Sequence, residues 1–351
     1  MAAPRVIVVG AGPAGVRAAE TLVAAGLRPV VIDEGRRDGG QIYRRQPANF
    51  TRPYAALYGT EAARAATLHR CFEAIRGRID YRPETLAWNV ADGRLHALQG
   101  TRNIALPFDA LIVASGAVDR VMPVPGWELA GTYSLGAAQI ALKHQACSIG
   151  RRVAFLGTGP LLYLVAAQYL KAEAQVAAVL DTSPFRLRLG ALPYLAARPD
   201  VLAKGIALSA ALGRAGVAVM TGATPMAIAG DPENGVRAVT VRDRRGAERT
   251  IACDAVALGY HVRPETQLAD LARCEFVFDP EARRWSVKLD PDGRTSIPGV
   301  YLAGDGARVL GADAAEASGR LAALAALADA GFPADPAEIA RLRRSLARMD
   351  R

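Results

Sequence analysis

The sequence predicts an α/β fold laid down twice, with one glycine-turn unit inserted into another. Three observations carry this. Val6-Ile7-Val8-Val9 runs straight into Gly10-Ala11-Gly12-Pro13-Ala14-Gly15, an apolar strand followed by a Gly-x-Gly-x-x-Gly turn. Residues 152–162 repeat the arrangement with Gly157 and Gly159 in place but Leu162 at the third glycine. Each start is followed by a hairpin turn, near Asp92-Gly93 and near Arg245-Gly246, and then by a short apolar strand behind an aspartate, at 109–116 and 254–260. Parallel strands with crossover helices satisfy that repeated order.

The first turn has every part that a dinucleotide needs. Gly10 permits the tight exit from the strand, Gly12 lets a pyrophosphate approach the backbone, and Gly15 lets the helix pack close to the strand. The helix behind Pro13 and Ala14 offers unpaired N–H groups and a positive dipole end to phosphate. The next apolar strand ends in Asp33-Glu34, with 18 residues between Gly15 and Glu34, which places Glu34 to accept hydrogen bonds from a ribose. In the second copy the corresponding acid is Asp181. Leu162 is expected either to push its helix off the strand or to fill the phosphate groove, leaving a scaffold in preference to a working NAD(P)H site.

Residues 295–305 form a further apolar strand ending in Gly304-Asp305, ahead of an alanine-rich helix near 314–330. A carboxylate there suits a ribityl hydroxyl, and the helix N-terminus suits the negative charge of a reduced flavin. Together with the first turn this favours FAD over a bare nicotinamide site. The fold class is therefore α/β, a flavoprotein with an FAD-binding Rossmann-like domain at 1–121 and 285–351 and an inserted NAD(P)-binding-like domain at 122–284. The Pro/Gly-rich stretch 122–127 marks the crossing and the charged stretch 279–292 the return. Ile339, Leu342, Leu346 and Met349 have helical spacing near the last residue, as in a docking helix or a longer protein cut short.

Composition narrows the function classes. The net charge of +9 is almost all arginine, scattered and without aromatic interleaving, so it reads as solvated surface and gives no nucleic-acid footprint. No run approaches the ~20 apolar residues of a membrane span. The first strand begins by residue 6, so no signal peptide and a cytoplasmic location are expected. Cys71, Cys147, Cys253 and Cys274 are far apart, with no Cys-x-x-Cys for a redox dithiol, an iron–sulfur cluster or zinc. No metal site is expected. His69, His96 and His261 stand without triad partners, and no catalytic acid or base is assigned, since in a flavin protein the cofactor carries the chemistry.

These residues, with Gly39-Gly40-Gln41-Ile42-Tyr43-Arg44, the run 114–120 leading to Pro125-Gly126-Trp127, Gly136-Ala137-Ala138-Gln139 and Gly159-Pro160-Leu161-Leu162, resemble the glutathione-reductase-like FAD/NAD(P)-binding flavoproteins. The resemblance covers nearly the whole chain. Within that family it is similar to the α (A) subunits of heteromeric amine and amino-acid dehydrogenases, the group of opine oxidase, D-hydroxyproline dehydrogenase and hydrogen cyanide synthase. The resemblance implies a FAD-binding subunit passing electrons from a substrate-oxidising, FAD-dependent β subunit. FMN at a subunit interface and a [2Fe–2S] centre on a small partner chain would complete the complex. It also implies Gly40 and Gln41 beside the flavin ring, Arg44 and Arg45 toward a phosphate of FAD or FMN, and Ser115 and Gly116 beside the cofactor. Two alternatives stay open: a free-standing NAD(P)H-dependent reductase, and an assembly subunit holding NAD or ATP in place of FAD.

Overall fold

The computed structural model describes residues 3–47, 49–184, 190 and 199–350. They form two compact units, 1–118 with 263–351, and 119–262. In the first, five parallel strands lie in the order Val300–Leu302, Ala110–Val113, Val6–Val9, Val30–Ile32, Asp80–Arg82. Both faces are covered, which is why the strands other than the edge strand Asp80–Arg82 are unbroken apolar runs and not alternating ones. Val6, Val8, Val31 and Ile112 meet the helices Pro13–Ala24, Ala62–Ile75 and Ala312–Asp329. Ile7, Val9, Leu111 and Val113 meet Val90, Leu95 and Ala97 of a three-stranded antiparallel sheet, Thr85–Ala91, Arg94–Gln99 and Arg102–Pro107. Its first turn is Asp92-Gly93, both with positive φ (51° and 68°), the signature of a type I′ hairpin turn.

The second unit repeats the plan. Its parallel order is Ala218–Thr221, Gln175–Asp181, Arg152–Thr158, Ala255–Tyr260, Thr132–Ser134. Val153 and Phe155 pack on the helices Leu135–His144, Pro160–Lys171 and Pro199–Arg214. Ala154 and Leu156 pack on the antiparallel sheet of Thr224–Asp231, Gly235–Arg242 and Glu248–Ala252.

The return crossing lies at residue 263, not near 285. Residues 263–284, expected in the inserted domain, belong to the first unit because Leu268, Ala269, Ala272 and Cys274 fill the core beneath Ile7 and Val9. The charged stretch that looked like a linker holds the turn of a hairpin, Phe276–Asp279 with Arg284–Val287. The last helix, Pro336–Met349, is capped by Asp335 on the Ala337 N–H and buries Leu342 against Leu321 and Leu324. No helix among the described residues is long and apolar enough to cross a membrane.

Candidate nucleotide site

The glycines of the first turn are fixed by contact. A Cβ on Gly10 would lie 2.3 Å from the Ala114 carbonyl oxygen, and one on Gly15 would lie 1.7 Å from that of Gly10. The strand, the turn and the helix therefore meet at distances that no side chain permits. Gly12 faces Gly40, whose own Cβ would come 2.9 Å from the Gly12 α-carbon. Pro13 opens the helix at a position where its missing N–H costs nothing, and Ala14 is buried behind it. Gly304 and Gly319 pack on Ala14 from the other end of the chain, 2.9 Å from its Cβ and 2.0 Å from its carbonyl oxygen if each carried a Cβ.

Asp33 and Glu34 divide the work at the second strand's end. Asp33 accepts from the Ala11 N–H (2.5 Å) and the Gly35 N–H (2.7 Å), so it holds the turn, and burial pushes its carboxyl up against those donors. Glu34 is exposed and makes no hydrogen bond or ion pair among the described residues. A carboxylate left open to solvent beside a glycine turn is what a ribose diol requires.

The loop from Asp38 to Arg45 is pinned by the helix Ala62–Ile75, which sequence reasoning missed. His69 Nε2 donates to the Tyr43 carbonyl (2.8 Å), which can only accept, so Nδ1 accepts from the Tyr54 hydroxyl (2.8 Å). Burial holds His69 down to about 4. Arg45, expected to meet a phosphate, instead grips Asp38 through Nε (2.8 Å) and Nη2 (3.2 Å) and reaches Glu73 at 2.9 Å. Of these two carboxylates Asp38 is buried and Glu73 is exposed. Gln41 is exposed and accepts from Arg44 Nη2 (2.9 Å), while Arg44 Nε is buried with no partner among the described residues.

Ser115 and Gly116 follow the strand Ala110–Val113, with the Ser115 hydroxyl donating to the Glu265 carbonyl (2.8 Å). Gly306 packs on both, so the Gly304–Gly306 turn and Ser115-Gly116 are neighbours. One oxygen of Asp305 accepts from the Leu310 (3.1 Å) and Gly311 (3.2 Å) N–H groups. The other makes no bond among the described residues, and burial pushes the carboxyl up. Gly10, Gly12, Pro13, Ala14, Gly15, Asp33, Glu34, Gly40, Gln41, Ser115, Gly116, Gly304 and Asp305 thus gather at the carboxyl ends of one parallel sheet, where open α/β sheets take ligands. The cradle of glycines, the open acid and the half-used aspartate suit a dinucleotide.

Leu162 does not fill the phosphate groove. It is fully buried, packed with Val153, Phe155, Val165 and Ala166 in the second unit's core. The turn is rewound to admit it: Gly159 has φ 97°, where Gly12 has −77°. Asp181 is not a ribose acceptor either. Its oxygens take the Tyr163 hydroxyl (2.8 Å), the Ser183 N–H (2.8 Å) and the Ser183 hydroxyl (2.6 Å). Its bond to the N–H two residues on matches that of Asp33, so Thr182, not an acid, stands where the first unit has Glu34.

All four cysteines are free thiols. Burial, then Glu20, pushes Cys71 up to about 12, and burial pushes Cys253 up to about 11 and raises Cys274. Only Cys147 is exposed. Native protein treated with Ellman's reagent is expected to release one equivalent quickly, abolished in Cys147→Ser. Two or more fast equivalents would contradict this burial.

A doubled Rossmann-like sheet with one complete glycine turn defines a two-domain dinucleotide-binding oxidoreductase. The chain belongs to the pyridine nucleotide-disulphide oxidoreductase family, which it matches over residues 4–323. The A subunit of opine oxidase from Rhizobium meliloti is 39% identical over 353 residues, covering 96% of this chain and 65% of that protein. The HcnB subunit of hydrogen cyanide synthase from Pseudomonas protegens is 30% identical, covering 95% and 72%. The chain spans 65% of the length of two opine oxidase subunits that it matches and 74% of a third. Among solved structures, L-proline dehydrogenase from P. horikoshii superposes with a TM-score of 0.67 at 19% identity, covering 98% of this chain and 58% of that one. Thioredoxin reductase of T. acidophilum gives 0.63 at 20% identity, covering 93% and 98%. These two share the fold.

Proposed function

We propose that the chain is the FAD-binding α subunit of a heteromeric dehydrogenase acting on the C–N bond of an opine- or D-hydroxyproline-type amino acid. The observation that carries this is the asymmetry of the two turns. The first keeps three glycines and an open Glu34, while the second has Leu162 and a saturated Asp181. The subunit names of the relatives support a multi-subunit complex. In our reading a FAD-dependent β subunit oxidises the substrate and a small chain carries the iron–sulfur centre. FMN belongs at the interface with the β subunit.

In this reading residues 1–118 with 263–351 are the FAD domain. The Gly10–Gly15 turn and the helix behind Pro13 and Ala14 hold the pyrophosphate by backbone N–H groups and dipole. Glu34 orients the ribose, and Asp33 keeps the turn in shape. Gly40 and Gln41, with Ser115, Gly116 and Gly304, leave a wall without bulky side chains for the ring. The open oxygen of Asp305 receives a ribityl hydroxyl, and Arg44 is the cation nearest Gln41 for a phosphate. Bound flavin supplies the electron carriage, and no acid or base is assigned among the described residues.

Mixing the purified chain anaerobically with NADH and then NADPH, while recording the visible spectrum, tests the reading. Bound FAD that neither donor bleaches is the expected result, with FAD released on denaturation. Rapid bleaching would make the protein a reductase. Release of NAD or ATP from colourless protein would make it an assembly subunit. Oxidation of an amino acid by this chain alone would also end the proposal.

A further inference from the structure

The second turn carries a feature beyond Leu162 and Asp181. Gly10 faces the Ala114 carbonyl just as Gly157 faces that of Gly259, so Gly116 and His261, each two residues further on, are equivalent positions in the two units. Both adopt left-handed backbone, φ 76° and 66°, which costs a glycine nothing and a histidine about 1 kcal/mol. The histidine ring is also placed. A Cβ on Gly159 would lie 2.7 Å from His261 Cε1 and 2.8 Å from Nδ1. In the first unit the atom nearest the same point over Gly12 is the Gly40 α-carbon, at 3.6 Å, with no side chain behind it.

The second glycine of such a turn is there so that pyrophosphate can reach the backbone. We infer that His261 closes the second glycine turn to the pyrophosphate of a pyridine nucleotide, doing from outside what a side chain on Gly159 would do from within. His261 is an exposed residue whose ring is partly desolvated where it lies against Gly159; that desolvation, then the charge of Arg120, lowers it from the usual histidine value, against Asp181. At neutral pH it therefore offers phosphate no positive charge in exchange for the space it takes. Among the described residues of this unit, those at the glycine turn do not fit the nucleotide that the family's name implies. Leu162 removes the third glycine, Thr182 the ribose acid, and His261 the approach. This goes beyond the relay reading, since a relay subunit could carry an occupied nicotinamide domain.

The test is titration calorimetry of the full, FAD-saturated chain with NADH and with NADPH, comparing wild type, His261→Gly and His261→Asn. Wild type is expected to show no binding up to about 1 mM, and His261→Gly a gain of at least about tenfold in affinity. His261→Gly should melt no lower than wild type, because glycine accepts the left-handed backbone. Asparagine also tolerates that backbone, so His261→Asn gives a folded protein with a smaller cover and an intermediate gain. Wild-type binding tighter than about 1 mM overturns the inference, as does a folded His261→Gly that gains nothing. Binding is read here and bleaching in the earlier test. Nucleotide bound by wild type with an unchanged flavin spectrum would sink this inference and leave the relay standing.

Discussion

Alanine at position 15 is expected to strip the protein of its nucleotide and lower its melting temperature by roughly 5–10 °C, the size of an overpacking cost of about 2–3 kcal/mol. The added methyl would sit 1.7 Å from the Gly10 carbonyl oxygen, which belongs to the backbone and has no rotamer into which to retreat. Either the helix Pro13–Ala24 moves off the strand, or the turn opens; both spoil the array of N–H groups at the helix N-terminus. Gly26→Ala is the control. Gly26 has positive φ (83°), unlike the helical Gly15, but nothing lies within 4 Å of its Cβ position, so only the ~1 kcal/mol backbone cost applies. Retained flavin per chain after gel filtration and a thermal melt decide the matter. A Gly15→Ala protein that keeps its flavin and melts like Gly26→Ala would show that the turn tolerates the contact.

The second large effect is a loss of stability between pH 6.5 and 4. His69 is 3% exposed and held at about 4, so the folded chain keeps it neutral while the unfolded chain protonates it near 6.5. The unfolded state then binds more protons, and stability falls as pH falls. The full stabilisation is present above about 6.5; about 2 kcal/mol is lost by pH 5 and roughly 3 kcal/mol once pH is below 4. Because His69 ties down the Tyr43 carbonyl, flavin release is expected to follow the same window. The acid groups held low by partners, Asp109 at about 2 among them, act lower on the scale and are separable. Urea unfolding at pH 7.5 and at pH 5 should show a loss about 2 kcal/mol larger in wild type than in His69→Gln, which keeps only the smaller contribution of groups such as His261. Equal pH dependence in the two proteins would remove His69 from the account.

Much of this was legible because it is local. Strand, glycine turn and helix follow one another within about twenty residues, and each hairpin announces its own turn. Glu34 could be placed by counting. What could not be read depends on which distant segments meet. Arg45 looked free for phosphate because Asp38 and Glu73 approach it only once the helix Ala62–Ile75 docks. His69 looked solitary because its partners are a carbonyl 26 residues away and a hydroxyl 15 away. Leu162 could be flagged as an exception, but its rewound turn is a matter of φ, which residue identity does not encode. The crossing at 263 was missed because proline and charge mark a hairpin turn as readily as a linker.

Ala14 touches Gly304 and Gly319, and the strand Val300–Leu302 lies at the edge of the sheet begun by Val6–Val9. That geometry has a consequence in time. A chain leaving the ribosome has all of residues 119–262 before the first unit has its last strand or the helix that covers Ala14. The inserted unit can therefore finish folding while the glycine turn, although synthesised first, still waits with one flank bare. A nucleotide site built on that turn can therefore become competent only after residues 300–319 have joined residues 6–15.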